Sequence, residues 1–230
     1  MSSSLSSLST RDITSRSRPI IALPIGSCEQ HGPHLPLDTD TRIAVALCQR
    51  LASENNNILI APAIAISASD EHDGFAGTLS IGTAALTTVI VELVRSANWA
   101  AGVVLVNGHG GNAQAVQTAI AVLHNEQRRA TAWWPRLGHD DDAHAGCTET
   151  SMMLAIAPED VHMELAEVGV MTPLTNLLDT LRVHGVASVS PNGVLGDPRT
   201  ASVAHGHVLL TLLAAQLIDH VQHETATWIH

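Results

Sequence analysis

The stretch AGVVLVNGHGGN, Ala101 to Asn112, sets the architecture. Its first half is a continuous apolar run rich in β-branched residues, and Asn107-Gly108 stops it. Such a run, with no polar residue alternating through it, predicts a strand buried on both faces. From Asn112 to Arg129 the apolar residues recur at helical spacing. A buried strand that feeds a helix is the unit from which parallel sheets are built. His109 stands at the junction, flanked by glycines.

The same alternation recurs on either side. PIIALPIG (Pro19–Gly26) predicts a strand, and Thr41–Ser53 a helix that Asp40 or Thr39 caps. NNNILIAPAIAI (Asn55–Ile66) predicts a turn and a second strand, and residues 67–82 a loop. Thr83–Ala97 predicts a helix, ATAWW (Ala130–Trp134) a strand, and residues 135–145 a polar loop. Glu149–Ala157 predicts a helix halted by Pro158, Leu181–Ser190 a further strand, and Thr200–His223 a last helix. The fold class is therefore α/β, with a mostly parallel central sheet covered on both faces. Residues 19–230 predict a single domain, and residues 1–18 a flexible Ser-rich tail.

Composition narrows the function. Of the 230 residues 45% are hydrophobic, yet there is one Phe and no Tyr, so the core must be aliphatic. The net charge is −11 with no basic run, which argues against a nucleic-acid partner. The three cysteines are far apart in sequence, which argues against a disulfide framework and predicts a cytoplasmic location. No apolar stretch reaches the ~18 residues of a membrane span. The first residues contain no apolar core of a secretory signal, so none is expected. Fourteen histidines point to metal or proton chemistry.

Open parallel sheets place their sites beyond the carboxyl ends of the strands. Behind the first predicted strand comes PIGSCEQHGPHLPLDTD (Pro24–Asp40). Glu29 and His31 are two residues apart, so an extended loop turns both to one side. Asp40 follows at the mouth of a helix, and Pro33 and Pro36 stiffen the loop between. His109 arrives from the other strand, and HAGCTETS supplies His144 and Glu149. Glu29, His31, Asp40, His109 and Glu149 form an oxygen-and-nitrogen donor set that suits Zn, Fe(II) or Mn. Three carboxylates among five donors predict two divalent metal ions, with Asp40 bridging. NGHGGN also fits a tight turn or an anion-binding nest. It matches neither dinucleotide nor Walker patterns. Glu71 and His72 are either substrate contacts or a satisfied polar loop. The acidic run HDDDAH (His139–His144) reads as a solvated turn.

PIGSCEQHGPHLPLDTD, NGHGGN and HAGCTETS, in this order, resemble the three site motifs of the creatininase family of metal-dependent amidohydrolases. The likeness runs from about Pro19 to the last helix. It implies a three-layer αβα sandwich, a dinuclear centre at the carboxyl rim and a homo-oligomer. It assigns Glu29, His31, Asp40, His109 and Glu149 as ligands and His144 as acid/base or substrate contact, so that His144 and Glu149 carry the catalysis. Within the family, APAIAISASDEHDGFAGTLSIGTAAL and GVLGDPRTA are similar to members that remove a C-terminal dipeptide from a small modified precursor peptide. A small precursor peptide is thus the expected partner, with neither nucleic acid nor membrane. The alternative is an amidohydrolase acting on a small cyclic amide or formamide. Creatinine hydrolases carry a glutamate two residues after the second-motif histidine, where this chain has Gly111. That departure disfavours creatinine itself. Arg199, in GDPRTA, either pairs a substrate carboxylate or forms a surface salt bridge.

Overall fold

The computed structural model describes residues 3–137 and 142–228. Of the predicted acidic turn His139–His144, residues 139–141 lie outside the described residues, whereas Asp142 accepts from the Thr148 N–H and His144 is buried rather than solvated. Four strands form one parallel sheet: β1 (Ile20–Ile25), β2 (Ile58–Ile60), β3 (Gly102–Asn107) and β4 (Ala130–Trp133), in the order β2-β1-β3-β4. Pro24 is tolerated in this inner strand because β2 ends opposite Ala22, leaving no ladder donor to lose on that side.

The continuous apolar runs resolve into two faces. Ile20, Ala22, Val104 and Val106 belong to one core, while Ile21, Leu23, Ile25, Val103 and Leu105 belong to the other. Residues alternate across the sheet with period two, and both faces are dry. The first face is covered by α2 (Thr39–Glu54), α5 (Cys147–Ile156) and α7 (Val203–Glu224), which contribute Leu47, Met153, Leu210 and Leu213. The second is covered by α3 (Gly82–Ser96) and α4 (Ala113–Asn125), through Leu86, Ile90, Val116 and Leu123. The three-layer αβα expectation holds, with the helices on both sides of a parallel sheet.

The strand order fixes where a site forms. From β1 the chain crosses to β2 on one side, and then returns past β1 to β3 on the other. The connections diverge between β1 and β3, the point at which open α/β sheets leave a crevice. Ile25 is paired with Asn107, so the loops carrying Glu29 and His109 leave the sheet at the same level.

Three expectations are corrected. Thr39 and Asp40 lie in the first turn of α2, whose N-cap is Asp38. Leu181–Ser190 holds no strand: α6 (Leu174–His184) ends at Gly185, in the left-handed region at φ 72°, and a 3-10 turn covers Val186–Ser188. Residues 3–18 differ from a flexible tail. Thr10–Thr14 forms a short helix, α1, closed by a Ser9/Asp12 capping box, and Leu5, Leu8 and Ile13 pack on the second core.

Candidate active site

The N-terminus of α2 is driven between the carboxyl ends of β1 and β3. Two glycines permit it. A Cβ on Gly26 would lie 2.3 Å from the Thr41 Cα, and one on Gly108 would lie 2.6 Å from the Asp40 carbonyl oxygen. No other residue lets the backbones approach so closely. Asp40 is thereby held between the loop after β1 and the loop after β3, and is 2% exposed.

The structure brings Glu29, His31, Asp40, His109, His144, Glu149, His72 and Glu71 together. Asp40 divides its carboxylate: Oδ2 is 3.2 Å from His109 Nδ1, and Oδ1 is 3.3 Å from His31 Nε2. Ser27 Oγ donates to Oδ2 at 2.9 Å and fixes that orientation. Glu29 Oε1 is 3.1 Å from His109 Nδ1, and Glu149 Oε2 is 3.9 Å from His31 Nε2. Three sets of donor atoms lie within 4.8 Å of one another: Glu29, His31 and Asp40; His31, His144 and Glu149; Glu29, His72 and His144.

Backbone carbonyls set the tautomers. His31 Nδ1 lies 3.1 Å from the Glu29 carbonyl, His109 Nε2 lies 3.0 Å from the Ala68 carbonyl, and His144 Nε2 lies 2.8 Å from the Gln30 carbonyl. Each ring donates there and turns its other nitrogen inward, the arrangement that metal-ligating histidines adopt. His72 is the exception. Gln30 Oε1 accepts from the Gly32 N–H, so its Nε2 donates to the Gly193 carbonyl and to His72 Nδ1, at 3.1 and 2.9 Å. His72 therefore carries its proton on Nε2, 3.4 Å from Glu29 Oε1.

The charges demand compensation. Glu29 is fully buried and neither carboxylate oxygen has a hydrogen-bond partner. A carboxylate so placed is costly unless a cation meets it. Where no cation meets them, the carboxylates hold protons on the neighbouring rings instead. Burial lowers the His31 pKa, but Asp40, Glu149 and Glu29 more than offset this and raise it to about 10. His109 is raised in the same way, against its burial, by Glu29, Asp40 and Glu71. Burial raises Asp40, but His31 and His109 bring it well below the usual carboxylate range. Burial and the Asp40 charge push Glu149 up. His144 is pushed well down by burial and by His31 and His72.

Glu71 takes an unforeseen position. A Cβ on Gly111 would lie 2.0 Å from Glu71 Oε1, and that oxygen is 3.3 Å from His109 Nε2. A carboxylate from another loop thus fills the space that a side chain at position 111 would need. Arg199 is not brought in. It forms a two-pronged pair with Asp197 at 2.9 and 2.8 Å, mostly exposed, and does not line the cavity over the site. The surface salt bridge is the alternative realised. Gln30 and Ser27 were missed: a Gln between two candidate ligands reads as pointing away, and a serine after a strand carries no spacing signal. The cavity measures about 980 Å³, and its walls include Asp70, Glu71, Gln114, Leu178, Arg182 and Gly185.

Residues 6–221 match the creatininase family, described as creatinine amidohydrolase. The mycofactocin precursor peptide peptidase of Mycobacterium tuberculosis is 49% identical over 221 residues, covering 92% of this chain and 86% of that protein. Two solved structures share the fold: a mutant creatininase of Zn-Zn type (TM-score 0.81, 22% identity, covering 97% of this chain and 98% of that one) and a Mn creatininase (TM-score 0.79, 22% identity, covering 97% and 99%).

Proposed function

The chain belongs to the creatininase family, and from that premise we propose that it is a metal-dependent peptidase of mycofactocin biosynthesis. It hydrolyses a peptide bond near the C-terminus of a small modified precursor peptide and releases a dipeptide. The observation that carries the metal dependence is the buried Glu29 carboxylate with no hydrogen-bond partner, set among imidazole nitrogens and further carboxylates. The 49% identity to the M. tuberculosis peptidase supports the substrate class.

Glu29, His109 and Asp40 would hold one divalent ion, and His31, Glu149 and Asp40 would hold the second. Zinc, iron(II) and manganese all suit this donor set. Bound there, such ions supply Lewis acidity and a water of lowered pKa. The chain's own residues do the rest. His144, held unprotonated by its surroundings, accepts a proton at Nδ1 and returns it to the leaving amine. Its Nε2 is anchored on the Gln30 carbonyl, so the ring keeps its orientation through both transfers. Gly110 meets no neighbour on its side-chain side, which leaves the mouth beside His109 open to a peptide chain. A cavity of about 980 Å³ accepts a peptide segment, which favours this reading over a small cyclic amide or formamide. The reading includes one domain over residues 19–230, a cytoplasmic location, supported by three free cysteines, and a homo-oligomer.

Mass spectrometry of a precursor peptide incubated with zinc-, iron- or manganese-loaded protein tests it. Dipeptide release with metal, and none after chelation or in His31→Ala, is expected. Undiminished cleavage by the metal-free variant would overturn the reading; hydrolysis confined to creatinine or formamides would replace it with the small-amide alternative.

A further inference from the structure

The helix α6 stands apart from the rest of the fold. It runs for 11 residues and buries none of them, unlike every other described helix of more than five residues. Its apolar side is nonetheless well formed. Leu174, Leu178 and Leu181 follow one another at i, i+4 and i+7, and all three line the cavity above the metal-binding cluster. A helix keeps such a stripe toward a cavity when something apolar is to fill it.

Charge identifies what. The cavity walls carry Asp40, Asp70, Glu71, Asp73 and Glu149, and among the described lining residues Arg182 is the sole Arg or Lys. Among the described residues its one ion pair is a loose one, 4.0 Å from Asp179 Oδ1, with both side chains largely in solvent. The placement is anchored. Gly185, which ends α6, sits against the loop bearing Glu71 and His72; a Cβ there would lie 2.9 Å from the Glu71 carbonyl oxygen. Arg182 is three residues earlier, about 4.5 Å along the helix axis. A dipeptide spans about 7 Å from its first atoms to its carboxylate. One helical turn plus an arginine side chain covers that span.

We propose that α6 is the leaving-group subsite: Arg182 receives the C-terminal α-carboxylate of the peptide, and Leu174, Leu178 and Leu181 seat an apolar side chain of the released dipeptide. Outside the metal centre, the acidic side chains that are not assigned as ligands, Asp70, Glu71 and Asp73, repel a carboxylate and leave Arg182 as the place where a free C-terminus docks. The inference rests on the peptidase reading above and adds the residues that count from the C-terminus.

The test pairs synthetic peptides ending in two apolar residues, as the free acid and as the C-terminal amide, with metal-loaded wild type, Arg182→Ala and Leu178→Ser. A charge-assisted contact of this kind makes wild type prefer the acid by about tenfold to a hundredfold in kcat/KM. In Arg182→Ala the acid and amide should be cleaved at similar rates, with the amide rate close to wild type. Leu178→Ser should keep the preference for acid and lose rate on both peptides. The same dipeptide, added as acid or amide in a calorimetric titration, reads the subsite without turnover. An acid-to-amide ratio unchanged in Arg182→Ala, with wild type cleaving both, overturns the subsite and leaves the peptidase standing. A wild type that cleaves neither peptide and hydrolyses only small amides overturns the peptidase reading, and this inference falls with it.

Discussion

Glu29 is the residue on which the centre turns. Its carboxylate is fully buried and accepts no hydrogen bond. Glu29→Gln removes that charge at almost constant volume. The metal-free variant should therefore melt above metal-free wild type, by about 1–3 kcal/mol of stability. It should also bind zinc at least about a hundredfold more weakly, so that added zinc stabilises only the wild type. Thermal melts with and without zinc check both arms, and an unchanged order in the two conditions refutes the assignment. A second prediction concerns protons. His31 in the metal-free site has its pKa raised to about 10, so it is charged at pH 7, whereas a ligand must present a bare nitrogen. Ion binding at pH 7 should release protons, and affinity should rise between pH 6 and 8 and fall on acidification. Titration calorimetry in two buffers of different ionisation enthalpy measures the release; equal heats in both would contradict it. The candidate ligand residues were legible because period-two spacing and strand ends locate them. Arg199 and Arg182 were not separable that way, since each is simply an arginine near a glycine until the fold shows which one faces the cavity.

At the scale of the element, the first turn of α2 acts as a wedge between two strand ends, and Gly26 is what admits it. Gly26→Ala puts a methyl 2.3 Å from the Thr41 Cα. The backbone must shift, at a cost of about 3 kcal/mol, and Asp40 moves with it. Activity and metal content should fall together, and the melting temperature by several degrees. A variant with wild-type metal content and melting temperature would show that the wedge is not needed. The elements were read with uneven success for a physical reason. β1 and β3 are buried on both faces, so their sequences are saturated with apolar residues and cannot be mistaken. The helix α6 lies over a cavity with no residue buried, so packing imposes only a sparse stripe. Its Leu181 and Val183, followed closely by Val186 and Val189, give a stretch rich in β-branched valine, a composition that strands favour. Gly185 was the missed signal, a left-handed glycine that ends the helix.

At the scale of the whole molecule, two aliphatic cores on either side of one sheet account for the composition, with Leu, Ile, Val and Ala doing what aromatic residues do elsewhere. The alternation of strands and helices made that architecture legible. The N-terminal segment was not, because its serines hide three anchoring side chains, Leu5, Leu8 and Ile13. Among the described residues no helix is long and apolar enough to cross a membrane. The docked segment also meets the sheet itself. The Ser3 carbonyl accepts from the Ile60 N–H at 2.7 Å, and Ser4 is bridged to Ile60 in parallel sense. Ile58–Ile60 is the outermost strand on that side. Deleting residues 1–9 would leave its amides facing solvent as a template on which a neighbouring molecule can add its own chain. The shortened protein should scatter light increasingly with concentration, where the full chain stays clear. Those serine-rich first residues then serve colloidal solubility, by denying one molecule a seam through which to knit itself to the next.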